Sequence, residues 1–238
     1  MASRGYAAVL DQLTPTGGGP GGLSLDTVCE GCGTLFGLDG SSVQVLDTAG
    51  DVAGLRTWGD LAAAVESQQF VLGEGPGVLA ATGDRPELVP DLSTEPRYGS
   101  FPAQTLALGL GGVFSFPLAI GVIRFGVLSM FRHHPGDLDD GDYGDALLAA
   151  DIVTMLLLAD QAEAGAGGIS WAMDDLLQHQ AVVHQATGMV AAQLGCPLDH
   201  ALLRLRAHAF AHGLGIDGAA ELVVRRRIDF RPDRTEES

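Results

Sequence analysis

The amino-acid sequence predicts an α+β fold, an antiparallel sheet flanked by helices and followed by a C-terminal module of three helices. Three observations predict it. Two pairs of β-rich runs, Ser42–Leu46 with Val52–Thr57 and Val113–Leu118 with Val122–Phe131, are each joined by a short turn, the mark of hairpins. Apolar residues at helical spacing fill the segments before, between and after those pairs. The run Ala164-Gly165-Ala166-Gly167-Gly168 then separates this part from a second stretch that has helical periodicity alone. A length of 238 residues suits two domains, and a composition with 46% hydrophobic but only 6% aromatic residues predicts folded domains with aliphatic cores.

The elements follow in order. Residues 1–21 read as a flexible arm, because the glycine-rich Thr16–Gly22 cannot hold a helix, with one short helical piece near Tyr6–Leu13. The first domain, 22–160, opens with a helix on Leu25, Val28, Cys29, Cys32 and Leu35, stopped by Gly37 and Gly40 before the first hairpin. Leu61–Gln69 reads as a helix, and a short helix through Thr82 follows the loop Leu72-Gly73-Glu74-Gly75-Pro76-Gly77. Next come a strand at Glu87–Pro90, a helix at Phe101–Leu108 and the second hairpin, turning at Ala119-Ile120-Gly121. A helix at Asp139–Leu158 closes the domain, its acidic first turn placed where the positive end of the helix dipole favours it. After a linker at 161–172, residues 173–228 form the helical module, and 229–238 a tail. Met173, Leu176, Gln180, Val183, Thr187, Val190 and Leu194 make a seam at spacings of three and four. Gly195 ends that helix, and two more follow at Ala201–His212 and Asp217–Arg227.

Charge limits the partners. The net charge is −17, but residues 1–169 hold 21 acids and 6 arginines, whereas 170–238 hold 9 acids and 7 arginines. The acidic first part repels polyanions, so a nucleic-acid contact has to come from Arg204, Arg206 and the run Arg225-Arg226-Arg227. Three cysteines with no signal peptide before them predict a reducing compartment, the cytoplasm. From Tyr98 to Ile123 there are 26 residues without a charge, but two prolines and five glycines interrupt them, so buried strands are expected rather than a membrane span.

Chemistry-bearing residues are sparse. Cys29 and Cys32 form a CxxC without a second ligand pair, and helical spacing puts both on an apolar face as small core residues. His133 and His134 sit in a turn without acidic companions, and the five later histidines are scattered. Glu74, Asp139, Asp140 and Asp142 have no spacing that forces two carboxyls together. No phosphate loop, dinucleotide fingerprint or nucleophile elbow is present. The expectation is therefore no catalytic residue, no metal, no cofactor and no enzyme.

Two resemblances sharpen this. Gln185-Ala186-Thr187-Gly188-Met189, Gly195-Cys196, the spaced Ala201, Leu202, Leu205, Arg206 and Ala209, and Ala220-Glu221-Leu222-Val223 resemble the ANTAR module, a three-helix RNA-binding domain of bacterial antiterminators. The resemblance implies binding to paired hairpin loops of nascent RNA, with Gln185, Ala186, Thr187, Gly188, Arg204, Arg206 and Ala209 as candidate contacts. The family usually has Lys at the position of Thr187 and an aromatic at that of Leu202, and Phe210 is the only aromatic among residues 172–229. Stacking on bases would then fall to arginine and to His208, while His200 and His208 are candidates for tuning affinity with pH. Leu72-Gly73-Glu74-Gly75-Pro76, Val89-Pro90-Asp91-Leu92 and Phe116-Pro117-Leu118 resemble the GAF domain of actinobacterial GAF-ANTAR proteins. That resemblance implies a sensor domain with a small-molecule ligand held over the sheet, and a homodimer. The family often has Cys where this chain has Gly77, so thiol sensing is not expected there.

Together these imply a cytoplasmic transcription antitermination regulator, a GAF sensor controlling an ANTAR module. Two alternatives stand beside it. One is a dimeric ligand-binding or protein-interaction regulator whose ANTAR-like module has lost RNA binding. The other is an enzyme similar to the GAF-fold methionine sulfoxide reductases, which requires Cys29 or Cys32 to be exposed and of low pKa.

Overall fold

In the computed structural model, residues 3–14, 23–164, 182–183, 185–212, 214 and 216–231 are described. The chain divides into two units, Met1–Met173 and Asp174–Ser238.

Two helices open the first unit, α1 (Tyr6–Leu13) and α2 (Leu25–Phe36). Ser24 caps α2: its hydroxyl accepts the Thr27 N–H at 3.2 Å while the Thr27 hydroxyl accepts the Ser24 N–H at 2.9 Å. The expected loose arm does not hold for residues 3–14. Val9 and Leu13 are fully buried in the core beside α2 and the long helix α6 (Asp140–Ala164), and Gly31 of α2 permits the crossing, since a Cβ there would lie 2.8 Å from the Leu13 Cα. Ahead of α1, the Ser3 hydroxyl and the Arg4 N–H both donate to Asp145 Oδ1, and Arg4 Nη1 donates to Oδ2, at 2.7–2.8 Å. Eight residues are too few for a stable helix alone, so α1 depends on this docking, which local sequence does not reveal. The remainder of the proposed arm lies outside the described residues.

The sheet follows from two hairpins and one short strand. β1 (Gly40–Leu46) and β2 (Val52–Trp58) form the first hairpin. Three elements come next: α3 (Asp60–Leu72), α4 (Pro76–Thr82) and β3 (Glu87–Val89). After a 3₁₀ turn at Leu92–Thr94 come α5 (Phe101–Leu106), β4 (Gly112–Ile120) and β5 (Ile123–Arg132). The second hairpin closes on Gly121-Val122, one step later than predicted, because β4 keeps pairing to Ile120. A two-residue loop matches strand twist better than the three-residue turn read from sequence. The strand order is β2-β1-β5-β4-β3, with every neighbouring pair antiparallel. The uncharged run Tyr98–Ile123 is thus α5, a loop and β4. Among the described residues no helix is long and apolar enough to cross a membrane.

Helices cover both faces of the sheet. On one side α1, α2 and α6 (Asp140–Ala164) bury Val43, Val45, Phe114, Phe116, Leu128 and Met130. On the other, α3 and α5 bury Val89, Val113 and Phe131, with α4 beside them. α6 runs four residues into the expected linker; the rest of that linker lies outside the described residues.

In the second unit, residues 185–194 are helical (α7), followed by α8 (Leu198–Ala211) and α9 (Ile216–Val224). Among the described residues its buried positions are mostly Ala and Val (Val183, Ala186, Val190, Ala201, Ala209, Ala219, Ala220 and Val223), with Leu205 and Ile216 as the larger members. Of the predicted seam, Val183, Thr187 and Val190 are buried, whereas Met173, Leu176 and Gln180 lie outside the described residues. α9 ends at Val224, before the predicted Arg227. The chain turns there, with Arg226 at φ 55° and the Arg227 N–H donating to the Leu222 carbonyl at 2.7 Å. The turn leads to Phe230, whose N–H donates to Gln193 Oε1 at 2.9 Å.

Candidate functional site

Strand alternation sorts β1 between the two faces. Val43 and Val45 enter the α2–α6 core, so Ser42 and Gln44 point toward α3. Register then aligns Ser42 with Ser129 of β5, Ser129 with Ser115 of β4, and Ser115 with Glu87 of β3. The result is a polar row across four strands, under α3 at its β1 end and under α4 toward β4 and β3. The Ser115 and Ser129 hydroxyls pair at 2.9 Å.

α3 places Glu66 and Gln69 over this row, on the same helical face as Ala62 and Val65. Ser42 Oγ donates to Glu66 Oε1 at 2.5 Å and Gln69 Nε2 to Glu66 Oε2 at 3.0 Å, with Gln44 Nε2 at 3.4 Å from the same oxygen. Gln69 Oε1 in turn accepts the Gly77 N–H at 2.7 Å, tying α3 to the start of α4. Glu66 is only 2% exposed. Burial raises its carboxyl from 4.5 to about 7, although the hydrogen bonds from Ser42 and Gln69 pull the other way. A side chain at position 77 has no room: a Cβ on Gly77 would lie 2.8 Å from Gln69 Nε2. Gly77 is therefore part of this packing.

A cavity of about 220 Å³ lies beside the junction, lined in part by Gly73, Glu74, Gly75, Leu79, Arg97 and Tyr98. Its one cation is already engaged, because Arg97 pairs with Glu87 at 3.0 Å and with Glu95 at 2.8 Å. The Tyr98 hydroxyl donates to Glu87 at 2.7 Å; burial and that carboxylate push the phenol up. Gly75 connects the cavity to the polar core, since a Cβ on it would lie 2.5 Å from Gln69 Oε1. Sequence reading missed Glu66 and Gln69. The available signal was a pair of polar residues three apart on the apolar side of a predicted helix, facing strands with serine at alternate positions.

Cys29 and Cys32 are both fully buried on the opposite face. Burial pushes the Cys29 thiol up to about 12 and raises Cys32 as well, which opposes thiolate chemistry at either sulfur. His133 is tied into its turn, its Nδ1 2.8 Å from the Gly109 carbonyl oxygen. Among the described residues no cluster of three His, Cys, Asp or Glu side chains is arranged to hold a metal ion.

In the second unit the candidate RNA contacts separate. Gln185, Gly188 and Arg204 are exposed and Arg206 is half-buried, with burial lowering its pKa. Ala186, Thr187 and Ala209 are buried, so these three pack the helices instead of presenting a surface. The Thr187 hydroxyl donates to the Val183 carbonyl at 2.7 Å, which satisfies it within the helix. A groove of about 510 Å³ runs along α8, lined among the described residues by Leu194, Cys196, His200, Leu203, Arg204 and Ala207. His208 stacks on His212 at 4.0 Å and meets the edge of Phe230 at 5.3 Å. Burial, then the neighbouring His212, lowers the His208 pKa, which favours its neutral form. Arg225 is paired with Glu221 at 2.9 Å, while Arg226 and Arg227 are exposed.

A five-stranded antiparallel sheet between two helical layers puts the first unit among the small α+β sandwiches. Its particular form is GAF-like, as comparison with solved structures shows. The chain is similar to the GAF domain of a phosphoenolpyruvate-protein phosphotransferase from Coxiella burnetii, at 18% identity over 67% of this chain and 96% of that one, with a TM-score of 0.50. The GAF domain of the Acinetobacter phosphoenolpyruvate-protein phosphotransferase aligns at 12% identity over 67% and 94% of the two chains, TM-score 0.47. The free methionine-R-sulfoxide reductase of Neisseria meningitidis aligns at 16% identity over 67% and 87%, TM-score 0.45. No family model matches the sequence, and no curated protein matches it.

Proposed function

We propose that this chain is a cytoplasmic transcription antitermination regulator and not an enzyme. The GAF-like unit receives a small-molecule signal, and the C-terminal helices, which resemble an ANTAR module, bind paired hairpin loops in nascent RNA as a homodimer. The observation that carries the reading is the groove on α8, where Arg204 and His200 flank Leu203 and Ala207, in a chain whose net charge is −17. Exposed Arg226 and Arg227 add cations to the same unit. Hairpin loops offer unstacked bases and phosphates, which a groove with an apolar floor and a cationic rim suits.

Filter binding of the full chain to a two-hairpin RNA and a scrambled control, at two salt concentrations, tests this. Preference for the two-hairpin RNA with a steep salt slope is expected, and Arg204→Ala reduces that slope by about one. Equal, weak binding to both RNAs overturns the reading. Thr187 favours the second reading, a dimeric protein-interaction regulator without RNA affinity, because a buried threonine stands where the family usually carries a phosphate-binding Lys. A homodimer is checked by sedimentation, with and without RNA.

A further inference from the structure

Glu66 faces neutral groups only. β1 presents Ser42 and Gln44, and α3 itself presents Gln69. Ser115 and Ser129 hold the same row on β4 and β5, and α4 contributes the Gly77 N–H through Gln69. The charged side chains at the β3 end of the row, Glu87, Glu95 and Arg97, pair with one another. Burial is the main influence on the Glu66 proton, and no charged neighbour contributes.

A carboxylate in this setting is stabilised by hydrogen bonds but has no compensating cation, so its ionisation works against the closed packing. One side chain stands between it and the outer cavity. Gln69 touches Glu66 on one side, while Gly75, in the cavity wall, and the Gly77 N–H close on the other.

We propose that Glu66 is a proton-operated latch: neutral, it keeps the Gln69–Gly77 clasp shut; ionised, it draws water in past Gly75 and releases the start of α4. Opening joins the cavity to the row of Ser42, Ser115 and Ser129, with the Glu66 carboxylate at its head. Such a surface takes a small polar ligand rich in N–H or O–H donors. The ligand class rests on the sensor reading of this unit; the latch itself needs no ligand and no RNA.

The sign follows from linkage. The closed state holds the Glu66 proton more tightly than any hydrated state does, so opening releases a proton to water and is favoured as pH rises. Amide hydrogen exchange on the full chain between pH 5.5 and 8.5, corrected for intrinsic rates, reads this directly with the proton as the only probe. Protection of the α4 amides is expected to fall at least tenfold more than protection in α2 over that range. Glu66→Gln removes the difference and keeps α4 protected throughout. Ser42→Ala, which deletes a hydrogen bond to the ionised form, makes the closed state hold the proton more tightly still, so the loss of α4 protection runs on to higher pH and grows in total, and the latch is tested without relying on one variant. Parallel loss of protection in α4 and α2 reports only global destabilisation and overturns the proposal. Survival of the α4 pH dependence in Glu66→Gln overturns it as well. Neither result bears on RNA binding, which is decided by the filter assay.

Discussion

The two faces of the sheet use the same strands for opposite ends. Toward α2 and α6 the strands present Val43, Val45, Phe114, Phe116, Leu128 and Met130, and the Ser41 hydroxyl on that side is satisfied by the Cys29 carbonyl at 2.6 Å. Toward α3 and α4 they present Ser42, Gln44, Ser115 and Ser129 beside Val113 and Phe131, with a buried carboxyl over the β1 end. Buried polar groups contribute little net stability even when paired, while apolar burial contributes about 25 cal/mol per Å². The α2–α6 face carries the larger apolar core, and the α3–α4 face sets its buried polar row beside a smaller apolar cluster around Val113 and Phe131.

Four experiments test that contrast. The largest effect belongs to Phe116→Ala on the apolar face: the ring is fully buried, and its loss costs about 3–5 kcal/mol in urea unfolding. A cost below about 1 kcal/mol would mean the stability comes from elsewhere. Next is the pH dependence carried by Glu66. With its pKa raised from 4.5 to about 7, the folded state binds the proton more tightly, so stability falls as pH rises through that window and levels off above it. The loss is about 3 kcal/mol across the whole window. Glu66→Gln removes it, which unfolding curves at pH 5 and pH 8 check. Gly77→Ala is third, forcing a Cβ against Gln69 at a cost of about 1–3 kcal/mol, and Gln69→Ala relieves part of that cost in a double-mutant cycle. Ser115→Ala is smallest, about 0.5–1.5 kcal/mol, since it removes one partner of a single hydroxyl pair.

How much of this the sequence discloses differs between the same two regions. The apolar face reads directly: α2 from Leu25, Val28, Cys29 and Cys32, and the hairpins from their β-rich runs, because period and burial coincide there. The buried state of Cys29 and Cys32 was expected on the same ground. The polar face reads only faintly, because Ser42 and Glu66 meet across 24 residues of sequence, and two polar residues three apart on the apolar side of a helix do not disclose what lies beneath them. The docking of α1 was missed for a related reason, since its partner, Asp145, lies 142 residues beyond Ser3. In the second unit the resemblance named residues by position in a motif. Folding then separated them into packing residues, Ala186, Thr187 and Ala209, and surface ones, Gln185, Gly188 and Arg204.

The alignment of Ser42, Ser129, Ser115 and Glu87 in one register row also bears on how such a chain can change over generations. Point mutation alters one member of the row at a time and leaves the others in place. A single-codon insertion or deletion inside β1, β4 or β5 does something different: it turns the strand over beyond that point, sending serines into the α2–α6 core and valine or phenylalanine under α3. Descendants of this gene are therefore expected to drift in the letters of these strands while keeping their lengths, with indels confined to the turns.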